Sequence, residues 1–460
     1  MIMSDFEKKK AWIISADMGL GHQRAAYPLK DIAEEGIINA GDPNLISEKE
    51  YKFWKRVRNS YEFLSRSKNI PLIGNFLFKI LDSIQNIKPL YPKRDLSRPT
   101  LQTYYLSYLI RKGLGSEIIS HIEKKPLPLI TTFYVPALVA DYKGYPGKIY
   151  CVICDSDVNR VWVSSNPSSS RINYFAPCET AVKRLKRYGV SKDKIFLTGF
   201  PLPKENIGSK ENKEILKYDL LDRLHHLDRK GRFFNLHLSS INFHLGPNIQ
   251  SFRKRLLTIT FAIGGAGAQY EIGMKLIKSF RNNLLDKEIA INISVGVRKN
   301  LQIMFQDYAK ELGLSECLER NLRIIYHPNK FLYFEGFNEL LRTTDILWTK
   351  PSELSFYCGL GIPIIIAPPI GAHEEANLKW LLEIHAGILQ EDPEFAKEWI
   401  LDWLSSGRFA EAAWDGFLKA PKMGTYIIED IIEGKAGEKE ILAESYDTTT
   451  HLSPLLQKQE

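Results

Sequence analysis

Ala11-Trp12-Ile13-Ile14-Ser15-Ala16-Asp17-Met18-Gly19-Leu20-Gly21-His22 opens this chain, and Leu257-Thr258-Ile259-Thr260-Phe261-Ala262-Ile263-Gly264-Gly265-Ala266-Gly267-Ala268-Gln269 restarts it in its second half. Each stretch is an apolar, β-branched run, then glycines, then the start of helical spacing. A strand, tight turn and helix in that order aim backbone N–H groups and a positive helix end at one point, which suits a phosphate or an oxyanion. Two such units predict an α/β fold of two Rossmann-like domains facing across a cleft. The plain alternative for either turn is a tight strand–helix connection with no ligand.

Working outward from the first turn, His22 to Glu35 is predicted as a helix, with Ala25, Ala26, Leu29, Ile32 and Ala33 as its apolar stripe. Pro28 falls in its first turns, where proline is best tolerated. Residues 45–115 lack strand signals and mix aromatic, aliphatic and basic residues. Strand character resumes over Pro126 to Ala140 and is strong over Lys148 to Asp155, then recurs at Tyr174 to Pro177 and Lys194 to Gly199. A basic amphipathic helix is expected from Glu179 to Tyr188. Strands alternating with helices argue for a parallel sheet. Residues 204–252 are polar without a clear period and read as linker plus insertion, with His225-His226 in a loop.

From Leu256 the alternation returns: a helix to Phe280, strand Ile289 to Val297, helix Leu301 to Leu312, strand Leu322 to Tyr326, helix Phe337 to Arg342 and strand Ile346 to Trp348. Pro363 to Ala367 reads as a buried strand, and helices follow to about Glu433. The last helices are candidates to cross back to the first domain. The polar tail, 434–460, is expected to be disordered.

The 460 residues allow two or three domains with substantial cores. A formal charge of +8 permits an anionic partner, but there is no concentrated basic stripe or motif of a nucleic-acid binder, so none is expected. Five scattered cysteines (Cys151, Cys154, Cys178, Cys317, Cys358) fit a reduced cytoplasmic setting. The CxxC spacing of Cys151 and Cys154 falls on one strand with no second pair, and His225-His226 has no partner at metal-ligand spacing, so no metal site is expected. No signal peptide and no spanning segment of roughly 20 apolar residues is visible, so any membrane contact is expected to be peripheral.

Taken in order, the motifs resemble those of the GT-B glycosyltransferases, in particular the branch of monogalactosyldiacylglycerol synthases and the related bacterial glycolipid and lipid-II-type transferases. Ser15 to His22 resembles the opening "SADxGxGH". Cys154-Asp155, Tyr174 to Pro177 and Lys194 to Pro201 resemble the series "TD … PS … xGxP". Gly264-Gly265-Ala266-Gly267 matches the donor-side glycine turn, and Val295 to Asn300 resembles "CGRN". Thr349-Lys350-Pro351-Ser352, Gly361-Ile362-Pro363 and Ala372 to Asn377 resemble "TKxG … GLP … GQExxN". The matches run in family order over 11–385. Pro351-Ser352-Glu353-Leu354 departs from the glycine-rich turn, and His373 stands where glutamine is common.

The resemblance implies a GT-B fold, with 1–203 as acceptor domain and 253–433 as nucleotide-sugar donor domain. It implies an inverting transferase without metal or other cofactor, moving a hexose from a nucleotide sugar, UDP-linked by expectation, to a hydroxyl acceptor on a membrane lipid. In such an enzyme a helix end and cations hold the diphosphate as charge builds on it. Gly264, Gly265, Gly267 and Ala268 would supply the turn, and Arg298 and Lys350 the cations, each with the alternative of an ordinary surface charge. Glu353, Glu374 and Asn377 would meet ribose or sugar hydroxyls, or be plain helix residues. Tyr333 and Phe334 would border the base or belong to the core.

His22, after the first turn, is the leading base for the acceptor hydroxyl, with Asp155 second, and Gly19 and Gly21 would lie against the acceptor. A helix-capping histidine is the alternative. Asp17 and Asp157 read as turn residues. In 45–115, cations such as Lys52, Lys55, Arg56, Arg98 and Arg111 interleave with Tyr51, Phe53, Trp54, Tyr61 and Phe76, which suits an anionic membrane surface at the inner face of the cytoplasmic membrane. The alternative there is a helical subdomain with an ordinary core. Two other activities remain open: a UDP-sugar 2-epimerase-like isomerase, and a non-catalytic protein that binds nucleotide sugar or lipid.

Overall fold

A computed structural model describes residues 10–56, 87–246, 254–265 and 267–435. Expectations for 57–86 (Tyr61 and Phe76 among them), 247–253, Ala266 and the tail from 436 lie outside the described residues. The chain divides into two compact units. Unit 1 runs through Leu202 and takes in Gly371–Ala376 and the chain from Pro421; unit 2 comprises Pro203–Ile370 and Asn377–Ala420.

Unit 1 carries six strands: β1 (Ala11–Ser15), β2 (Ala33–Asn39), β3 (Leu129–Thr131), β4 (Ile149–Val152), β5 (Ile172–Ala176) and β6 (Ile195–Leu197). They form one parallel sheet in the order β2-β1-β3-β4-β5-β6. The chain leaves β1 toward β2 and then returns to the other side of β1 for β3. Their carboxyl ends therefore splay apart around a switch point, the place where open α/β sheets bind ligands. One face of the sheet is closed by Ala26, Leu29 and Ile32 together with Ile428 and Ile432 of the helix Gly424–Glu433.

Unit 2 carries β7 (Leu257–Ala262), β8 (Ile289–Gly296), β9 (Leu322–Tyr326), β10 (Ile346–Thr349), β11 (Ile364–Ile366) and β12 (Gly387–Leu389). The order β12-β11-β10-β7-β8-β9 is again parallel throughout. Its switch point lies between β7 and β10. Both units are Rossmann-like, and their inner strands, such as β1, β4, β7 and β10, are buried on both faces and read as continuous apolar runs.

Four readings of the sequence need correction. The helix expected from His22 to Glu35 is an α-helix only over Gly21–Ala26; Tyr27–Ile32 winds as 3₁₀ and Ala33–Asn39 is β2. Pro28 has no N–H for an α-helical bond, so the winding changes there. Pro126 to Ala140 is not one strand: β3 gives way to the helix Tyr134–Lys143. The stretch read as linker, insertion and loop contains helices Glu214–Leu227 and Arg232–Leu245, and His225-His226 lies in the first. The helix placed at Phe337 to Arg342 begins at Lys330, with Asn329 accepting from the Leu332 N–H as its cap.

Helix Glu214–Leu227 is fixed to unit 2 by Arg223, which is almost fully buried. Its guanidinium donates to the carbonyls of Thr344 (2.7 Å), Leu360 (2.9 Å), Leu341 (3.2 Å) and Gly361 (3.2 Å). Beside it Arg255 donates to both oxygens of Asp345 (2.6 and 2.7 Å) and to Asp222 (3.1 Å), and the Thr258 N–H donates to Asp345 (2.8 Å). Burial alone would raise the Asp345 pKa, but hydrogen bonds from His226 and Arg255 and their charges hold it below the ordinary carboxylate value.

Candidate active site

The first glycine turn joins β1 to a helix of only six residues. Gly19 takes φ +89°, a conformation that side chains disfavour. This sharp turn sets Gly21 at the helix start and turns the His22 imidazole back toward β3. His22 Nδ1 lies 2.7 Å from the Thr132 carbonyl, just past the end of β3. A carbonyl can only accept, so Nδ1 carries the hydrogen and the neutral ring's lone pair is on Nε2. This is the tautomer that a general base needs, and the carbonyl just past β3 orients the imidazole.

Around the imidazole stand three rings. Phe133 is 5.0 Å away edge-on and Trp162 6.0 Å away, while Tyr134 lies 4.4 Å from Phe133 and 5.1 Å from Trp162, centroid to centroid. His22 and Asp155 line one cavity of about 400 Å³, as do Met18, Gln102, Tyr105, Asn159 and the rings of Phe133, Tyr134 and Trp162. His373, within the segment that belongs to unit 1, lines it too. Burial pushes the Tyr134 pKa up to about 12, so its hydroxyl stays protonated. Asp157 also borders the cavity, but both its oxygens accept from Arg184 at 2.7 Å, which makes it a strut between β4 and the helix Glu179–Arg187.

The second glycine turn follows β7. The Gly267 N–H donates to the Gly264 carbonyl at 2.8 Å, and Gln269, at φ +64°, leads into the ten-residue helix Tyr270–Ser279. Two cations converge on this turn. The Lys350 stem, one residue past β10, passes so close to Gly264 that a Cβ there would stand 2.6 Å from Cε. Arg298, at the entrance of helix Lys299–Glu311, donates through Nε to the Gly265 carbonyl at 2.9 Å and through Nη2 to the same atom. A Cβ at Gly267, itself at φ +76°, would meet Arg298 at 3.0 Å. The left-handed backbone favours glycine at 267, whereas a Cβ at 264 would displace the movable end of Lys350. Ala268 is half-buried in the same turn.

Of the other residues expected on the donor side, Glu353 opens the 3₁₀ segment Glu353–Leu360, three residues after Lys350. Asn377 is fully buried in unit 2, whereas Glu374, one turn earlier on the helix Ala372–Glu383, is buried in the segment belonging to unit 1. Tyr333, Phe334 and Phe337 form a buried ring cluster in unit 2, which matches the core alternative for the first two. All five cysteines are buried free thiols, and Cys154 donates to the same Thr132 carbonyl as His22, at 3.4 Å. Among the described residues no group of three or more His, Cys, Asp or Glu is placed to hold a metal ion.

Phe133, Tyr134 and Trp162 line the cavity but are not among the residues anticipated from the sequence. Thr132-Phe133-Tyr134 follows a strand at its carboxyl end, which was the available signal; Trp162 had none. Of the aromatics expected on an exposed face, Trp54 is instead core: its Nε1 donates to Glu50, which also accepts from the Gly115 N–H at 2.8 Å. The helix Leu101–Arg111 does present an open face, with Leu101 88% exposed and Tyr104, Tyr105 and Tyr108 more than half exposed. Exposed Lys88, Lys93, Arg94, Arg98, Arg111 and Lys112 accompany it. Among the described residues no helix is long and apolar enough to cross a membrane.

A family model described as "Domain of unknown function (DUF6938)" matches residues 250–426. No curated protein matches the chain. Among solved structures it is similar to MurG of Acinetobacter baumannii (13% identity, 93% of this chain and 99% of that one, TM-score 0.48). It is also similar to the UDP-GlcNAc 2-epimerase of Neisseria meningitidis bound to UDP-GlcNAc (12%, 92% and 97%, 0.45) and to MnaA of S. aureus with UDP (13%, 93% and 96%, 0.45).

Proposed function

We propose that the chain is a GT-B glycosyltransferase that moves a hexose, with inversion and without a metal ion, from a UDP-linked sugar to a hydroxyl of a membrane lipid. The observation that carries this reading is the meeting of Lys350 and Arg298 on the glycine turn at the β7/β10 switch point. Two cations, turn N–H groups and a helix start there are suited to the diphosphate of a leaving nucleotide. Unit 2 is accordingly the donor unit and unit 1 the acceptor unit.

The acceptor oxygen attacks the anomeric carbon, its proton passes to His22 Nε2, and the bond from that carbon to the phosphate oxygen breaks. The electron pair leaves with the nucleoside diphosphate, whose new charge Lys350 and Arg298 offset. Asp155, in the same cavity, orients the acceptor hydroxyl. The open tyrosine face of Leu101–Arg111 and its cations suit an anionic bilayer, where tyrosine favours the interface and lysine and arginine meet acidic headgroups. We place the protein at the inner face of the cytoplasmic membrane.

Thermal unfolding against UDP-, GDP- and dTDP-sugars tests the donor site. A ligand at a hundred times its Kd adds about 2.7 kcal/mol. One nucleotide class, UDP by this reading, should raise Tm in the native protein and not in Gly265→Asp, which sets a carboxylate among the phosphate oxygens. Equal shifts in both proteins, or none with any nucleotide, would refute the assignment.

A further inference from the structure

The helix Arg232–Leu245 belongs to the stretch 204–252, which matches none of the glycosyltransferase motifs. Its inner side is fixed to unit 2. Phe233, Ile241 and Leu245 are buried, and Phe233 and His244 meet Trp414 of the helix Arg408–Lys419 edge-on, at 6.3 and 5.8 Å between centroids. Its outer side faces solvent. Arg232, Leu236, Ser239 and Phe243 are all exposed there, Leu236 by 73% and Phe243 by 56%. These four recur at intervals of four, three and four residues, which places them in one line along the helix. Leu238, also exposed, lies off that line.

The line is complementary to itself when reversed. Laid antiparallel about the point between Ser239 and Ser240, each Leu236 meets Phe243 of the other copy, and each Ser239 meets Ser240. Serines at the crossing let two helices approach closely, and a Leu–Phe contact flanks them on either side. Arg232 then reaches the last turn of the other helix, where the carbonyls carry the negative end of the macrodipole. Residues 229–246 contain Arg229, Lys230 and Arg232 and no Asp or Glu. A parallel pair would bring the cations of both copies together. Antiparallel pairing holds them about 20 Å apart, the length of the helix and beyond the screening length. Exposed Asn235 and Asn242 border the line. Their amides are costly to bury in hydrocarbon but find partners in the polar rim of a protein interface, which favours a second protein surface over a lipid one.

We propose that this helix is the contact through which two copies of the chain pair, antiparallel and about a two-fold axis. A pair of 14-residue helices is at the small end of specific interfaces, so the dimer exchanges, with a Kd of about 1–100 μM. The pairing does not depend on what either unit binds.

Sedimentation equilibrium of the full chain tests it, with Leu236→Glu and Phe243→Lys as variants. The native chain should show monomer and dimer in a concentration-dependent ratio. Each substitution, present twice in a two-fold contact, should raise Kd by about tenfold or more and leave Tm unchanged, because both positions are exposed. Mixing the two variants should restore a dimer: the new carboxylate of one copy faces the new ammonium of the other, and the native Leu–Phe contact survives on the second side. Under mild oxidant Ser239→Cys should cross-link two copies and Arg232→Cys should not; the five native cysteines are buried. A native chain that is monomeric at about 200 μM, above the expected range, would overturn the proposal. So would a dimer indifferent to both substitutions, a mixture that does not recover, or cross-linking through Arg232→Cys. Phosphatidylglycerol vesicles supply the remaining arm: a monomeric chain that binds them, and loses them in Leu236→Glu, would overturn the pairing and make this a lipid-facing helix.

Discussion

His22 shows how backbone geometry fits a single side chain for the role proposed for it. The Thr132 carbonyl fixes the proton on Nδ1 and so leaves Nε2 as the basic atom. His22→Gln should lower kcat by about 10²- to 10⁴-fold, the usual worth of a positioned base, with nucleotide affinity unchanged; a parallel loss of nucleotide binding in calorimetry would contradict that role. Gly264 is the complementary case. An added Cβ meets the movable end of Lys350, so Gly264→Ala should leave Tm nearly unchanged while weakening UDP binding by about ten- to hundredfold, the scale of a lost hydrogen bond to a charged group. Gly416→Ala is the control, because its Cβ meets the Cys358 carbonyl at 2.6 Å and backbone cannot move aside; it should cost about 1–3 kcal/mol of stability with UDP affinity intact. His22 and the two glycine turns were legible in the sequence because they sit in short local patterns. Trp162 was not, since its place beside His22 depends on a loop that no local pattern describes.

At the scale of elements, the helix Glu214–Leu227 is tied to the rest of unit 2 through Arg223. Its stripe Leu216, Leu220, Leu224 and Leu227 is buried at helical spacing, yet Asp219, Asp222 and Arg223 are buried too. Buried charges interrupt an amphipathic pattern, which is why the segment read as linker and loop. The same charges give it a pH signature. Asp345 has a folded pKa held below its unfolded value, so its contribution to stability is complete above the unfolded pKa of about 3.9 and is lost as pH falls through the folded pKa. Asp345→Asn should cost about 3–5 kcal/mol at neutral pH, because Arg255 is left without its bidentate partner. Urea unfolding of the variant should then change less than that of the native protein below pH 4. An equal acid loss in both would show that this cluster does not set the acid limit. The 3₁₀ winding after Ala26 was also hidden, although Pro28 marked the place where the α-helix gives way.

At the scale of the molecule, the two sheets put their two glycine turns at equivalent places, each at the carboxyl end of a unit's first strand and beside the switch point. That placement follows from strand order alone, and strand alternation in the sequence was enough to anticipate two Rossmann-like units. The return of the chain from Pro421 to unit 1 rests on Ile428 and Ile432 meeting β-sheet residues more than 250 positions earlier, such as Phe175 and Ile130. No pattern local to the last helix specifies that partner.

The most direct test of the transferase reading is to incubate the protein with a UDP-sugar labelled in the sugar, with and without bacterial lipid extract, and to follow both the label and the anomeric configuration by NMR. The account predicts label in an organic-extractable product, with the anomeric centre inverted relative to the donor, formed only with lipid present and lost in His22→Gln. A UDP-sugar inverted at C2 without any lipid would contradict it and make the protein an isomerase. UDP-sugar bound but unchanged in both mixtures would contradict it as well, leaving a protein that binds and does not transfer.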